Sequence, residues 1–182
     1  MAKKRDLVAV MDFSLVEVSN QLFGSVVTSG ADRLEGAGAS GVPQMVAPGG
    51  VTLVDFQSWK TPPVRFSNRD VYAHNRLIGC VRLSADERVE AANAIAAKLN
   101  KASAPTVFIM PRGGIDEWDK PGGPFHDADG LRLFADTIRD KLQPPVELIE
   151  LEAHINDEAF SAAALKVLDG WIASGVIEAP SA

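Results

Sequence analysis

The sequence predicts an α/β fold, a Rossmann-like three-layer sandwich around a mostly parallel sheet of about five strands. Two observations predict it. Short apolar runs rich in β-branched residues alternate with longer segments of helical period. Each run hands over to polar or glycine-rich residues, as strands do when they lead into helices. Strand–helix–strand units of this kind pack helices on both faces of the sheet, through right-handed crossovers.

The first run is Leu7–Met11. Ser14-Leu-Val-Glu17 follows as a capping box, in which the serine oxygen accepts from the third helical N–H and the glutamate reaches back. Leu15, Val18 and Leu22 share one face of that helix, and Gly24 is placed to end it. Ala31 to Glu35 reads as a charged helical stretch, with Asp32, Arg33 and Glu35 on a solvated face. Val42–Ala47 is the second strand, and Val71–Ala73 the third. Between them Gly49 to Asp70, with Pro62 and Pro63, is the least patterned stretch; it is a functional loop or hides short strands. Ser84-Ala-Asp-Glu87 is a second capping box, opening a helix whose face holds Val89, Ala92, Ala96 and Leu99. Thr106–Met110 is the fourth strand. Asp127 or Asp129 caps a helix on Leu131, Phe134, Ile138 and Leu142, and Pro144 and Pro145 stop it. Val146–Leu151 is the fifth strand. Asn156 or Asp157 caps a last helix on Phe160, Ala164, Val167 and Trp171.

At 182 residues the chain reads as a single α/β domain from 1 to 182, large enough to need no disulfide or metal staple. Its net charge of −6 lacks the basic excess of a general nucleic-acid binder. One cysteine, Cys80, excludes an internal disulfide and a zinc-ribbon framework; it reads as a small buried hydrophobe. No apolar run approaches the ~18 residues that span a membrane. The basic start from Met1 to Asp6 has the charge of an export signal, but the apolar run behind it is short and broken by Asp12. A cytoplasmic protein is the expectation.

In open parallel sheets ligands bind beyond the carboxyl ends of the strands. Those ends lead to Asp12-Phe13-Ser14, Pro48-Gly49-Gly50, His74-Asn75-Arg76, Arg112-Gly113-Gly114 with Asp116, and His154-Ile155-Asn156-Asp157. Arg112, Gly113 and Gly114 form the best anion candidate, because consecutive glycines expose backbone N–H groups beside a guanidinium. Gly49 and Gly50 would line the pocket, and His74, Asn75, His154, Asn156 and Ser14 would contact the polar remainder. The alternative for each glycine pair is a tight turn. Gly36-Ala-Gly38-Ala-Ser-Gly41 spells GxGxxG but precedes a strand instead of following one, so it is no dinucleotide fingerprint. No Walker A or GxSxG sequence is present. The three histidines, His74, His126 and His154, show no metal-ligand spacing, so no metal is expected. Asp116 with Glu117 reads as solvated loop charge.

Several words in order carry a resemblance. They are Val10-Met-Asp-Phe-Ser14 with Glu17, Gly30-Ala-Asp-Arg-Leu-Glu35, Gly41-Val-Pro-Gln44, Pro48-Gly-Gly50, His74-Asn75, Arg112-Gly113-Gly114, Gly123-Pro-Phe-His-Asp127 and Ala153-His-Ile-Asn-Asp157. From about Asp6 to Trp171 the chain resembles the C-terminal half of the Tm-one-like ATP-binding family, whose plant members include the tomato mosaic virus resistance protein. The resemblance implies a two-half architecture of which this is the second half, as a split gene or an excised domain; the Met1 context favours a split gene. It implies an N-terminal-half partner, and ATP as a cofactor without assigning its site to this half. It implies small-molecule metabolism and transfers no catalytic residue.

Three functions stay open at this point. The first is a ligand-binding module for a nucleotide or other phosphorylated or carboxylated metabolite, working with the N-terminal-half subunit. The second is a metabolic enzyme with His154 or His74 as general acid–base, oriented by Asp157 or Asp12. The third is an interaction scaffold. An apolar face left by the absent half, with self-association through it, is expected in each case.

Overall fold

The computed structural model describes residues 7–178. The basic start from Met1 to Asp6 lies outside them. In chain order the elements are β1 (Val10–Ser14), α1 (Val16–Leu22), α2 (Gly36–Ala39), β2 (Gln44–Gly49), β3 (Leu53–Gln57), β4 (Tyr72–Ala73), β5 (Ile78–Arg82), α3 (Ala85–Leu99), β6 (Thr106–Pro111), α4 (Ala128–Lys141), β7 (Glu147–Leu151) and α5 (Glu158–Ala173). A short 3-10 turn, Val64–Phe66, lies between β3 and β4.

The main sheet is four-stranded, parallel, and ordered β1-β2-β6-β7. A second, antiparallel sheet of three strands, ordered β3-β5-β4, is built from the chain between β2 and α3. The α/β class holds, but the parallel sheet has four strands where about five were expected. The third expected strand, Val71–Ala73, is instead β4, a two-residue antiparallel partner of β5. Two strands escaped the periodicity reading. β3 sits inside the Pro-bounded stretch, and β5, Ile-Gly-Cys-Val-Arg, carries a glycine that weakens its strand signal. β1 begins three residues later than its apolar run and continues past it to Ser14, with Asp12 held in the strand by a bidentate pair with Arg33.

The strand order runs one way, so right-handed crossovers put α1, α3 and α4 on one face. The apolar core there joins Val18, Ala92, Ile95, Leu131, Phe134 and Ile138 to Val46, Phe108 and Met110 of the sheet, and to Val54 and Val81 of the small sheet. The period-2 alternation of β2 and β6 sends Met45, Ala47, Val107 and Ile109 to the opposite face. Among the described helices α5 alone covers that face, through Phe160, Ala164 and Trp171.

The caps divide. Ser84 and Glu87 form the full capping box of α3. Asp127 accepts from Gly130 N–H at the start of α4. Ser14 caps nothing: it ends β1, and the residue before α1 is Leu15. Its carbonyl instead accepts from Arg33 Nη2 at 2.9 Å, which also takes Arg33 off the solvated face expected of it. The Asp157 carboxylate accepts from His154 N–H at 2.8 Å and makes no cap bond to α5. Gly24, with φ of +81°, does end α1.

Burial of Glu87 works against its charge, yet hydrogen bonds from Arg69 and the Ser84 N–H outweigh this and hold its carboxyl below the ordinary value. A carboxyl lowered in the folded state stabilises above its unfolded pKa and loses that contribution as pH falls through the folded one. Ser84→Ala should cost about 1 kcal/mol at neutral pH. Glu87→Gln should flatten the acid limb of a plot of Tm against pH; an unchanged limb would remove Glu87 from the account.

Candidate functional site

The carboxyl ends of β1, β2, β6 and β7 are spliced by backbone. Leu15 N–H donates to Gly49 carbonyl at 2.8 Å, Gly50 N–H to Ile115 carbonyl at 3.0 Å, Gly113 N–H to Ala153 carbonyl at 2.9 Å, and Ile155 N–H to Gly114 carbonyl at 2.9 Å. A Cβ on Gly49 would lie 2.1 Å from the Phe13 carbonyl oxygen, so only glycine lets β1 and β2 approach there. These glycines act as joints, with the Gly50 and Gly113 N–H groups already donating within the chain.

Arg112 is likewise engaged. Its guanidinium meets Glu150, Asp136 at 3.3 Å and Glu152 at 3.9 Å, and Arg139 shares the Glu150 carboxylate at 2.7 Å. The hydrogen bond to Glu150, working against burial, holds Arg112 firmly protonated. The guanidinium read from sequence as an anion anchor thus carries three carboxylate neighbours. Arg139, near the end of α4, belongs to the same network.

The 114–126 loop gathers the other groups. His154 is only 6% exposed. Its Nδ1 accepts from Asn156 N–H at 3.0 Å, which puts the ring proton on Nε2. That nitrogen donates to the Asp116 carbonyl at 2.9 Å and to Asp119 Oδ1 at 3.1 Å. Both ring nitrogens are therefore used in holding the loop, and the orienting carboxylate is Asp119 in place of the expected Asp157. Asp12, the other expected orienter, is paired with Arg33. Asn156 donates to Glu117 Oε2 at 3.0 Å from the same side. His74 and Asn75 are exposed in the β4–β5 turn, where Asn75 Oδ1 accepts from Leu77 and Ile78 N–H groups. The His74 ring meets Trp118 edge-on at 5.5 Å and so touches only the far side of the loop. The fold therefore brings His154, Asn156, Asp157, Gly113 and Gly114 together. It joins Gly49 and Gly50 to them through Ile115, and leaves Arg112, Ser14, His74 and Asn75 outside the group.

Asp116 corrects its reading as solvated charge. It is half-buried, accepts from Trp118 N–H at 2.7 Å and from Thr52 Oγ at 3.3 Å, and its pKa is raised by burial and then by Asp119. A carboxyl of this kind keeps a proton to a higher pH than a solvated aspartate. The Asp-Glu-Trp-Asp string from 116 to 119 was the available signal, since aspartates three apart with a tryptophan between them are unlike ordinary loop charge. Cys80 is fully buried, and burial with Asp55 and Asp116 nearby pushes its thiol up to about 12. Among the described residues no three His, Cys, Asp or Glu side chains are grouped to hold a metal ion. No helix of the described residues is long and apolar enough to cross a membrane.

Comparison with known proteins identifies the lineage. Residues 1–172 match the profile of the C-terminal domain of an uncharacterised protein family, UPF0261. The chain belongs to the UPF0261 family. A UPF0261 protein of Brucella melitensis is 44% identical over 177 residues, covering 97% of the chain and 42% of that protein. One from Clostridium tetani is 32% identical over 160 residues, covering 87% of the chain and 40% of the relative. The tomato ToMV resistance protein Tm-1(GCR237) is 28% identical over 156 residues, covering 85% of the chain and 21% of the tomato protein. The chain thus spans about two-fifths of the length of the bacterial UPF0261 relatives it matches.

Proposed function

We propose that this chain is the C-terminal half of a two-part ligand-binding protein, and that the N-terminal half of the family closes against the β1 margin. The ligand class is a nucleotide or another phosphorylated or carboxylated metabolite. The observation that carries the reading is the open β1 edge of the main sheet. Three helices cover one face and α5 the other, while β1 is an edge strand with no strand on its outer side among the described residues. Along this margin Met11 is 42% exposed and Leu165 56% exposed. A groove of about 440 Å³ opens near the start of β1 beside Val8 and Val176. A second, of about 460 Å³, opens near its end between Phe13, Ile155 and Phe160. Apolar surface continued along an open strand edge favours a protein partner.

The occupant is argued from length. The matched family segment is a C-terminal domain, and 42% of the Brucella relative is covered, so the larger share of such a protein precedes the strand equivalent to β1. That share arrives at this edge. ATP, implied by the family resemblance, would then bridge the rim and the docked half.

The test mixes the chain with the separately expressed N-terminal segment of the Brucella relative and follows mass by light scattering. A one-to-one complex is expected, lost in Met11→Asp/Leu165→Asp and kept in an Arg132→Ala control. Absence of a complex, a complex indifferent to the two substitutions, or self-association of the chain in its place would overturn the reading.

A further inference from the structure

A cavity of about 250 Å³ lies between the 68–72 segment and the end of β5, lined by Asn68, Arg69, Asp70, Tyr72, Val81 and Arg82. It sits on the same rim. Leu83 N–H donates to Thr52 carbonyl at 2.8 Å, which ties the end of β5 to the chain leaving β2. α3 starts just beyond Arg82, and Arg82 reaches the carbonyl of His126, next to the Asp127 cap of α4.

The arginines around this cavity differ in their partners. Arg69 is bidentate to Glu87, at 2.6 and 3.2 Å, and Arg65 lies 3.3 Å from the same carboxylate. Arg88 is 3.1 Å from Asp127. Arg82 forms no salt bridge among the described residues, and its one contact is the His126 carbonyl at 3.5 Å. In a protein of net charge −6, a guanidinium without a carboxylate partner among the described residues, set beside a cavity, is an anion site by its chemistry.

We infer that this cavity binds a small carboxylate or phosphate metabolite, with Arg82 as its ion-pairing group. The inference deepens the ligand-binding reading above and rests on it. At about 250 Å³ the space falls below the ~300–1,000 Å³ of drug-sized ligand pockets, which excludes a whole nucleotide. Asp70 is the one carboxylate in the lining, so the ligand carries a hydroxyl or ammonium to satisfy it. The Tyr72 ring is fixed edge-on to Phe125 at 4.6 Å, which holds that wall in place.

Calorimetric titration of the chain alone with glycerate, and separately with inorganic phosphate, tests the site. Saturable binding of at least one, with Kd on the order of 1 mM, is expected, weakened at least about ten-fold by Arg82→Ala. Arg82→Lys should fall between, Arg132→Ala should match the parent, and Tm should stay put in all three. Arg82→Lys provides the second arm should Arg82→Ala fail to fold. Glycerate without phosphate assigns a carboxylate, and the converse a phosphate. No saturation by about 50 mM of either, or parent-like affinity in both Arg82→Ala and Arg82→Lys, overturns the site. Because no N-terminal half is present, this failure is distinct from failure of docking.

Discussion

Asp127→Ala should lower the unfolding free energy by about 4 kcal/mol, among the largest effects of any single side chain here. Two contributions add. The carboxylate lies 3.1 Å from Arg88, whose side chain is only 2% exposed. Removing one partner of a buried pair leaves a charge that water cannot reach, at ~3–5 kcal/mol when both partners are dry. Asp127 is 33% exposed, so the lower end of that range applies. The same carboxylate caps α4 by accepting from Gly130 N–H, a bond of about 1 kcal/mol. Asp127→Asn separates the two, since an amide oxygen still caps but carries no charge. Urea unfolding should rank the chains as parent, Asp127→Asn, Asp127→Ala. A tie between parent and Asp127→Asn would show that the pair contributes nothing.

Gly114→Ala should cost about 3 kcal/mol or more, by a different route. Gly114 has φ of +137°, a conformation that side chains resist. A Cβ there would also stand 2.3 Å from the His154 ring and 2.4 Å from Asp119 Oδ1. Neither can yield without breaking the hydrogen bond that ties the loop to β7. Gly122→Ala is the control. Its φ is +84°, but a Cβ would meet nothing within 4 Å, so only the backbone strain of about 1 kcal/mol is expected. Equal urea midpoints for the two would refute the crowding argument.

The sequence carried the frame well and the site poorly, for physical reasons. Strands buried on both faces read as continuous apolar runs, so β2 and β6 stood out within a few residues. The Ser84–Glu87 cap was readable because both of its bonds span three residues. What lay beyond local range was hidden. The pair of Asp12 with Arg33 extends β1 past its apolar run, and the partner is 21 residues away. Arg112 and Asp116 exchanged their expected characters for the same reason. Glu150 lies 38 residues from Arg112 and Thr52 64 from Asp116, and no spacing rule reaches that far. A guanidinium without a carboxylate partner, such as Arg82, is recognisable only once the partners of its neighbours Arg69 and Arg88 are seen.

The small antiparallel sheet has one more implication. It is inserted whole into the crossover between β2 and β6. Loop closure depends only logarithmically on length, about 0.6 kcal/mol per doubling, so the sheet tolerates such a cargo at little cost. Arg69, Tyr72 and Arg82 all belong to that cargo, while the glycine joints and helix caps at Gly49, Gly114 and Asp127 belong to the frame. The proposed recognition residues thus lie within the insert, while Val54 and Val81 of the same insert belong to the main core. On the proposed reading, ligand preference would be retuned at exposed positions such as Arg82 without disturbing those packed residues.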